Sequence, residues 1–204
     1  MKKRLFALVI AVIVFCFSLT GCTENIKDLF DFADSIIEEI ANDSDYIAMS
    51  CEELTTLDNS ELCYAVTIRL WNKTDPVAET FDEEIKMLNE KERLFFCVNE
   101  YLMEIENGGL LQFFCNHGDF IAPLLNDYLE EIGATQHKKL FEDFVKSNKI
   151  DLENLDAFRT SDSDKYIRLS EEYNFDEFDN SFCELTSLEE YLGEFIKNNI
   201  EYFS

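Results

Sequence analysis

Cys115 and His117 are the two residues whose types and spacing first suggest covalent chemistry. A thiol within reach of an imidazole can pass its proton across and attack as the thiolate. Two positions on a regular helix differ by about 200°, however, so this pair would point apart. His117 fits a cap or a surface position better than the role of a base. His137, beside Lys138 and Lys139, reads as exposed. The chain has no GxSxG, no HExxH and no phosphate-binding glycine loop. The expectation is a non-enzymatic protein that uses no cofactor.

Metal chemistry is no better served. Zinc asks for clustered thiolates and imidazoles, and two histidines with scattered cysteines and no CxxC pair do not supply them. Calcium asks for carboxylate and amide oxygens around a tight turn. Asp162 and Asp164 alternate, and Asp176, Glu177, Asp179 and Asn180 cluster, but neither group has the glycine and closing glutamate of a helix–loop–helix calcium site. Diffuse condensation of cations is expected, and no specific metal site.

What remains is charge. The 204 residues carry 43 Asp and Glu against 17 Lys and Arg, a formal net charge of −26. Such a surface repels nucleic acid and anionic membrane and attracts basic partners. The chain is not a disordered acidic tail, because 47% of its residues are hydrophobic and 19 are Phe. The candidate partner-binding carboxylates are Glu171, Glu172, Asp176, Glu177 and Asp179. Further acidic pairs stand at Glu38-Glu39, Glu130-Glu131 and Glu189-Glu190. Any one such cluster can equally be a solvated helix face.

The elements that must position these groups read as helices. Ile26, Leu29, Phe30, Ala33, Ile36, Ile37 and Ile40 recur at three and four. Ser50 with Glu53, Asp58 with Glu61, Thr80 with Glu83 and Ser187 with Glu190 have capping-box spacing. A stripe from Phe81 through Ile85, Leu88, Phe95, Val98 and Leu102 to Ile105 predicts about seven helical turns, which Asn89 with Glu92 can divide. Helices are also expected before Gly133, between Thr135 and Asn148, between Asp164 and Tyr173, and after Ser187. Residues 149–162 and the stretch FDEFDNSF read as loops. No alternating strand pattern appears. The fold class is all-α, a compact array of roughly seven to nine helices.

Glycine is scarce, with six in the chain, and three of them sit in NGGLLQFFCNHG, Asn107 to Gly118. Asn107 or Gly108 can supply the left-handed end of one helix. Gly109 can start the next, with Gln112 reaching back to its exposed amide. Leu110, Leu111, Phe113 and Phe114 make that short helix apolar almost all round, so it should be buried, and Gly118 would cap its far end. The Phe113-Phe114 pair is expected in the core or, failing that, in a dimer face.

The first residues read as a leader. Lys2, Lys3 and Arg4 precede an apolar run from Leu5 to Leu19, too short for a comfortable membrane span. The run ends in LTGC, which resembles the lipobox of bacterial lipoproteins. That resemblance implies residues 1–21 as a lipoprotein signal peptide, Cys22 as the lipid-bearing residue, and residues 22–204 as one acidic all-helical domain. It would place the protein in the cell envelope, on the outer side of the cytoplasmic membrane or on an outer membrane. Loss of the leader makes the net charge three units more negative. Cys51, Cys63, Cys97, Cys115 and Cys183 remain, an odd number set among apolar neighbours. Mostly buried thiols are expected, with a Cys51–Cys63 bridge left open.

The stretch EIENGGLLQFFCNHGDFIAPLLNDYLEEIGA, residues 104–134, resembles the C-terminal domain family of a bacterial DNA-mimic protein. Asn107, Gly108, Gly109, Gln112, Phe113, Phe114, Asn116, Gly118, Ile132, Gly133 and Ala134 carry the resemblance. It implies an acidic, all-helical, homodimeric protein that offers carboxylates to a basic DNA-binding protein. These signature residues are turn and core positions, so they support the fold more directly than the function. An exported address separates this chain from chromosomal partners. The resulting expectation is a non-catalytic, lipid-anchored module that docks a basic protein surface and makes no direct contact with nucleic acid. A DNA-mimic inhibitor stands as the alternative.

Overall fold

The computed structural model describes residues 43–74, 81–116, 118–160 and 162–203. Cys22 and its leader, the stripe from Ile26 to Ile40, Glu38-Glu39, the Thr80 cap and His117 lie outside the described residues. Among the described residues the chain is all-α, with no strand. After a helical stretch at 43–48, the order is α1 (Cys51–Leu54), α2 (Asn59–Lys73), α3 (Phe81–Met87), α4 (Glu90–Asn116) and α5 (Gly118–Glu131). Then follow α6 (Thr135–Asn148), α7 (Ser163–Glu172), α8 (Phe175–Cys183), α9 (Leu188–Asn198) and a closing 3-10 turn, Ile200–Phe203.

Local signals set several of these boundaries. Ser50 and Glu53 form a full capping box: Ser50 Oγ accepts from the Glu53 amide at 3.2 Å, and the Glu53 carboxylate accepts from the Ser50 amide at 2.8 Å. Asn89 and Glu92 form a second one and divide α3 from α4. The other two boxes are half made. Asp58 accepts from the Glu61 amide, while the Glu61 carboxylate accepts instead from the Tyr46 hydroxyl at 3.0 Å. Ser187 accepts from the Glu189 amide, and the Glu190 carboxylate takes the Asn59 side-chain amide at 2.6 Å.

Helix α4 is the hub. Leu94, Phe95, Phe96, Cys97, Val98, Tyr101, Leu102 and Ile105 are all buried, and residues 94–102 leave no face to water. Helices α2 and α9 pack on each other and on α4, α5 packs on α4 and α6, and α8 packs on both α4 and α6. Gly193 permits the close approach of α9 to α2, since a Cβ there would lie 2.5 Å from Asn59 Cβ. Many of the phenylalanines form a connected aromatic network in the core. Phe113 meets Tyr101 at 5.0 Å, Phe114 meets Phe158 at 5.0 Å, and Phe144 meets Phe175 and Phe178 at 5.2 and 5.3 Å. Each such side chain, once buried, contributes about 1.5–3 kcal/mol.

Two stretches depart from the sequence reading. FDEFDNSF was expected as a loop, because Asp and Asn are poor helix formers, but it is α8. Phe175, Phe178 and Phe182 stand three and four apart and all three are buried, so tertiary burial overrides propensity. Residues 149–160 are non-helical as expected, yet they are not merely polar: Leu155 and Phe158 reach into the core.

Arg69 ties the two ends of the described chain together. Only 7% exposed, it sits on α2 inside the apolar run AVTIRLW. Its guanidinium donates to the carbonyls of Tyr46, Met49 and Phe203. Three carbonyl partners offset the cost of withdrawing the cation from water.

Candidate functional site

The glycine-rich stretch is a break inside α4. Gly108 is extended, with φ −161°, and Gly109 has φ +80° and ψ −179°, a region essentially closed to side-chain-bearing residues. Past this point the chain restarts as a short buried arm whose first amide needs an acceptor. Asp179 of α8 supplies it: the Leu110 amide donates to Asp179 Oδ1 at 2.9 Å. A Cβ on Gly109 would lie 2.2 Å from Asp179 Oδ2. Backbone conformation and a neighbouring carboxylate therefore both require glycine here.

This geometry corrects the expected capping. The positive φ belongs to Gly109, not to Asn107 or Gly108. Gln112 does not reach back to the amide of Gly109. Its Nε2 donates to Glu104 Oε2 at 2.8 Å, and Asn116 Nδ2 donates to the two oxygens of Glu104 at 3.2 and 3.0 Å. One carboxylate thus clamps the second arm of α4 against the first. Gly118 opens α5 instead of closing the arm before it, and a Cβ there would lie 2.8 Å from Leu155 Cδ1. Phe113 and Phe114 are wholly buried in the aromatic core, and Asn107 is exposed. Gly133, at φ +79°, closes α5 as expected, with the Ala134 amide donating to the Leu129 carbonyl at 2.9 Å.

The candidate carboxylates divide by role. Glu171 and Glu172 at the end of α7, and Asp176 and Glu177 at the start of α8, are exposed. Asp179 is half-buried and engaged with Leu110. Burial raises its pKa, the Leu110 amide works against that rise, and nearby Asp176 adds to it. The other acidic pairs have partners within the protein. Glu130 and Glu131 pair with Lys138 and Lys91, and Glu189 accepts from the Ser60 hydroxyl at 2.9 Å. A further carboxylate, Glu100, is buried. Burial, with Glu104 one turn away, raises its pKa to about 7.

His137 is buried, not exposed: Nε2 donates to the Thr186 carbonyl at 2.8 Å, and the ring meets Phe182 at 4.7 Å. The five cysteines among the described residues are free, so the Cys51–Cys63 bridge is not formed. Burial pushes the Cys63 and Cys97 thiols up to about 12 and raises Cys115 as well, the opposite of an activated thiolate. Among the described residues no group of three or more His, Cys, Asp or Glu is placed to hold a metal ion. None of the described helices is long and apolar enough to cross a membrane.

Sequence reasoning missed Glu104, Glu100 and Arg69. A lone arginine inside AVTIRLW was a legible signal for the last. Nothing in the order of residues marks out Glu104 among so many acids.

These features define a class, an acidic all-α domain folded around a glycine-broken central helix. The chain belongs to the DMP19-like protein family, whose model matches residues 86–199. That span runs from the end of α3 to the end of α9. It contains the break, Glu104, Asp179 and the exposed carboxylates of α7 and α8, and it leaves α2 outside. No curated protein and no solved structure matches the chain.

Proposed function

We propose that the protein is a non-catalytic acidic binding module that docks a basic surface of a protein partner. The observation that carries this reading is the exposed group Glu171, Glu172 and Asp176 on consecutive helices. None of the three is in an ion pair among the described residues, in a chain of net charge −26. Uncompensated charge of one sign steers a basic partner and makes the encounter salt-sensitive. In this reading lipid on Cys22 holds the module in the cell envelope, and the partner is an exported basic protein. Membership of the DMP19-like family supports a second reading, in which the carboxylates stand in for DNA phosphates toward a basic DNA-binding protein.

The test is affinity capture with the purified protein, run separately against envelope-plus-secreted and cytosolic fractions. Each captured protein is then purified and rebound at about 50 and about 500 mM salt. The first reading expects an exported basic protein whose affinity falls at least about tenfold with salt, and falls again in a Glu171→Gln, Glu172→Gln, Asp176→Asn variant. A regulator displaced by competing DNA supports the second reading. A partner indifferent to both salt and these substitutions overturns both.

A further inference from the structure

A groove of about 560 Å³ runs between α2 and α4, with Glu189 contributed by α9. Its apolar lining includes Tyr64, Trp71, Leu102 and Met103. Tyr64 and Met103 are 41% and 39% exposed, although they are large apolar side chains in a protein that buries most of its own. The charged lining is of one sign: Asp58, Glu61, Glu106 and Glu189 are present, and no lysine or arginine is among the described residues that line it. Glu106 and Glu189 are close enough to interact. Partial burial, and then that neighbour, raise the pKa of Glu106.

Aromatic faces beside paired carboxylates are complementary to one side chain in particular. A guanidinium is planar and always charged, stacks on indole and phenol rings, and presents N–H groups to carboxylates. An ammonium is a compact point charge and gains less from the aromatic wall. We propose that this groove takes an arginine side chain of the basic partner, its guanidinium laid against Tyr64 and held by Glu106 and Glu189, with the partner's chain running on along the groove toward Trp71. The inference rests on the binding-module reading and adds a selectivity that charge alone does not provide. Helix α2, one wall of the groove, lies outside the span that the family model matches.

Trp71 is the only tryptophan in the chain, so its emission reports on the groove directly. The full protein is titrated with a nine-residue arginine peptide and a nine-residue lysine peptide, with binding followed by calorimetry and by Trp71 emission. The arginine peptide is expected to shift the emission and to bind about fivefold or more tighter than the lysine peptide. Glu106→Gln should weaken the arginine peptide about fivefold and remove the shift. Tyr64→Leu should erase the preference for arginine. Glu153→Gln, on the exposed loop before α7, should change none of these. Calorimetric binding with silent Trp71 emission, or equal losses in the Glu106 and Glu153 variants, overturns the groove and leaves the binding-module reading standing. No binding of either peptide overturns both. Emission that depends on protein concentration without peptide assigns the groove to a second copy of the chain and overturns the arginine site.

Discussion

Asp179 and Leu110 stand 69 positions apart in the chain, and one hydrogen bond of 2.9 Å, from the Leu110 amide to Asp179 Oδ1, joins them. The bond explains how the central helix can break inside the protein. A helical arm that begins in the core exposes amides with no intrahelical partner. Water cannot serve a buried arm, so an acceptor has to come from another element, and α8 brings it. The most irregular point of the backbone and the segment that sequence reading mistook for a loop are therefore two halves of one arrangement.

Gly109→Val should cost at least about 2 kcal/mol, from backbone strain at φ +80° and from collision with the Asp179 carboxylate. Gly108→Ala should cost about 1 kcal/mol or less, because Gly108 is extended and its nearest obstacle is the movable end of Gln112. Urea unfolding of both variants checks the order. An unchanged midpoint for Gly109→Val contradicts the geometry of the break.

Asp179→Ala leaves the Leu110 amide without its acceptor and should cost about 1–2 kcal/mol. Asp179→Asn keeps an oxygen in place and should recover most of that loss. If both variants unfold at the wild-type midpoint, the bond between α8 and the break does not contribute to stability.

Tyr101 is completely buried, with its ring edge-on to Phe113, Phe141 and Phe182. Its hydroxyl has no hydrogen-bond partner among the described residues, an arrangement that costs about 1–3 kcal/mol. Tyr101→Phe keeps the ring and removes the orphaned group, so it should raise stability by about 1 kcal/mol. A lower melting temperature would mean that the hydroxyl has a partner in solution.

Glu100 gives the pH dependence a definite sign. Its carboxyl titrates at about 7 in the folded protein, against 4.5 ordinarily, because burial and then Glu104 disfavour the charge. The unfolded chain releases this proton at lower pH than the folded one. Stability from this group is therefore present at acid pH and lost as the pH rises from about 4.5 to about 7. Glu100→Gln carries no such charge. Its stability relative to wild type should improve by about 2–3 kcal/mol between about pH 5 and pH 8. Parallel pH profiles of unfolding for the two proteins would show that Glu100 ionises without penalty.

Much of the fold was legible because the signals were local. The Ser50–Glu53 and Asn89–Glu92 boxes, the apolar stripe of α4 and the Gly133 stop each depend on residues within about one turn of one another, and they form where the spacing put them. The half-formed boxes show where that logic ends. Asp58 and Ser187 cap their helices, but Glu61 and Glu190 are drawn away by Tyr46 and Asn59, which are distant in sequence. His137 misled for the same reason. Its chain neighbours are lysines, while its ring faces Phe182 and the Thr186 carbonyl.

Sequence by itself determined that this protein is helical, strongly acidic and rich enough in phenylalanine to build a core, because periodicity, charge and composition act without regard to topology. It also marked Gly108 and Gly109 as the place where the chain must turn. Only the tertiary structure decided that Gly109 alone carries the positive φ, that Glu104 gathers Gln112 and Asn116, and that Asp179 faces inward while Glu171 and Asp176 face water. Those outcomes rest on contacts between elements far apart in the chain. With 43 acidic residues of nearly interchangeable chemistry, it is position in space, and not residue type, that separates a clamp, a cap and a docking charge.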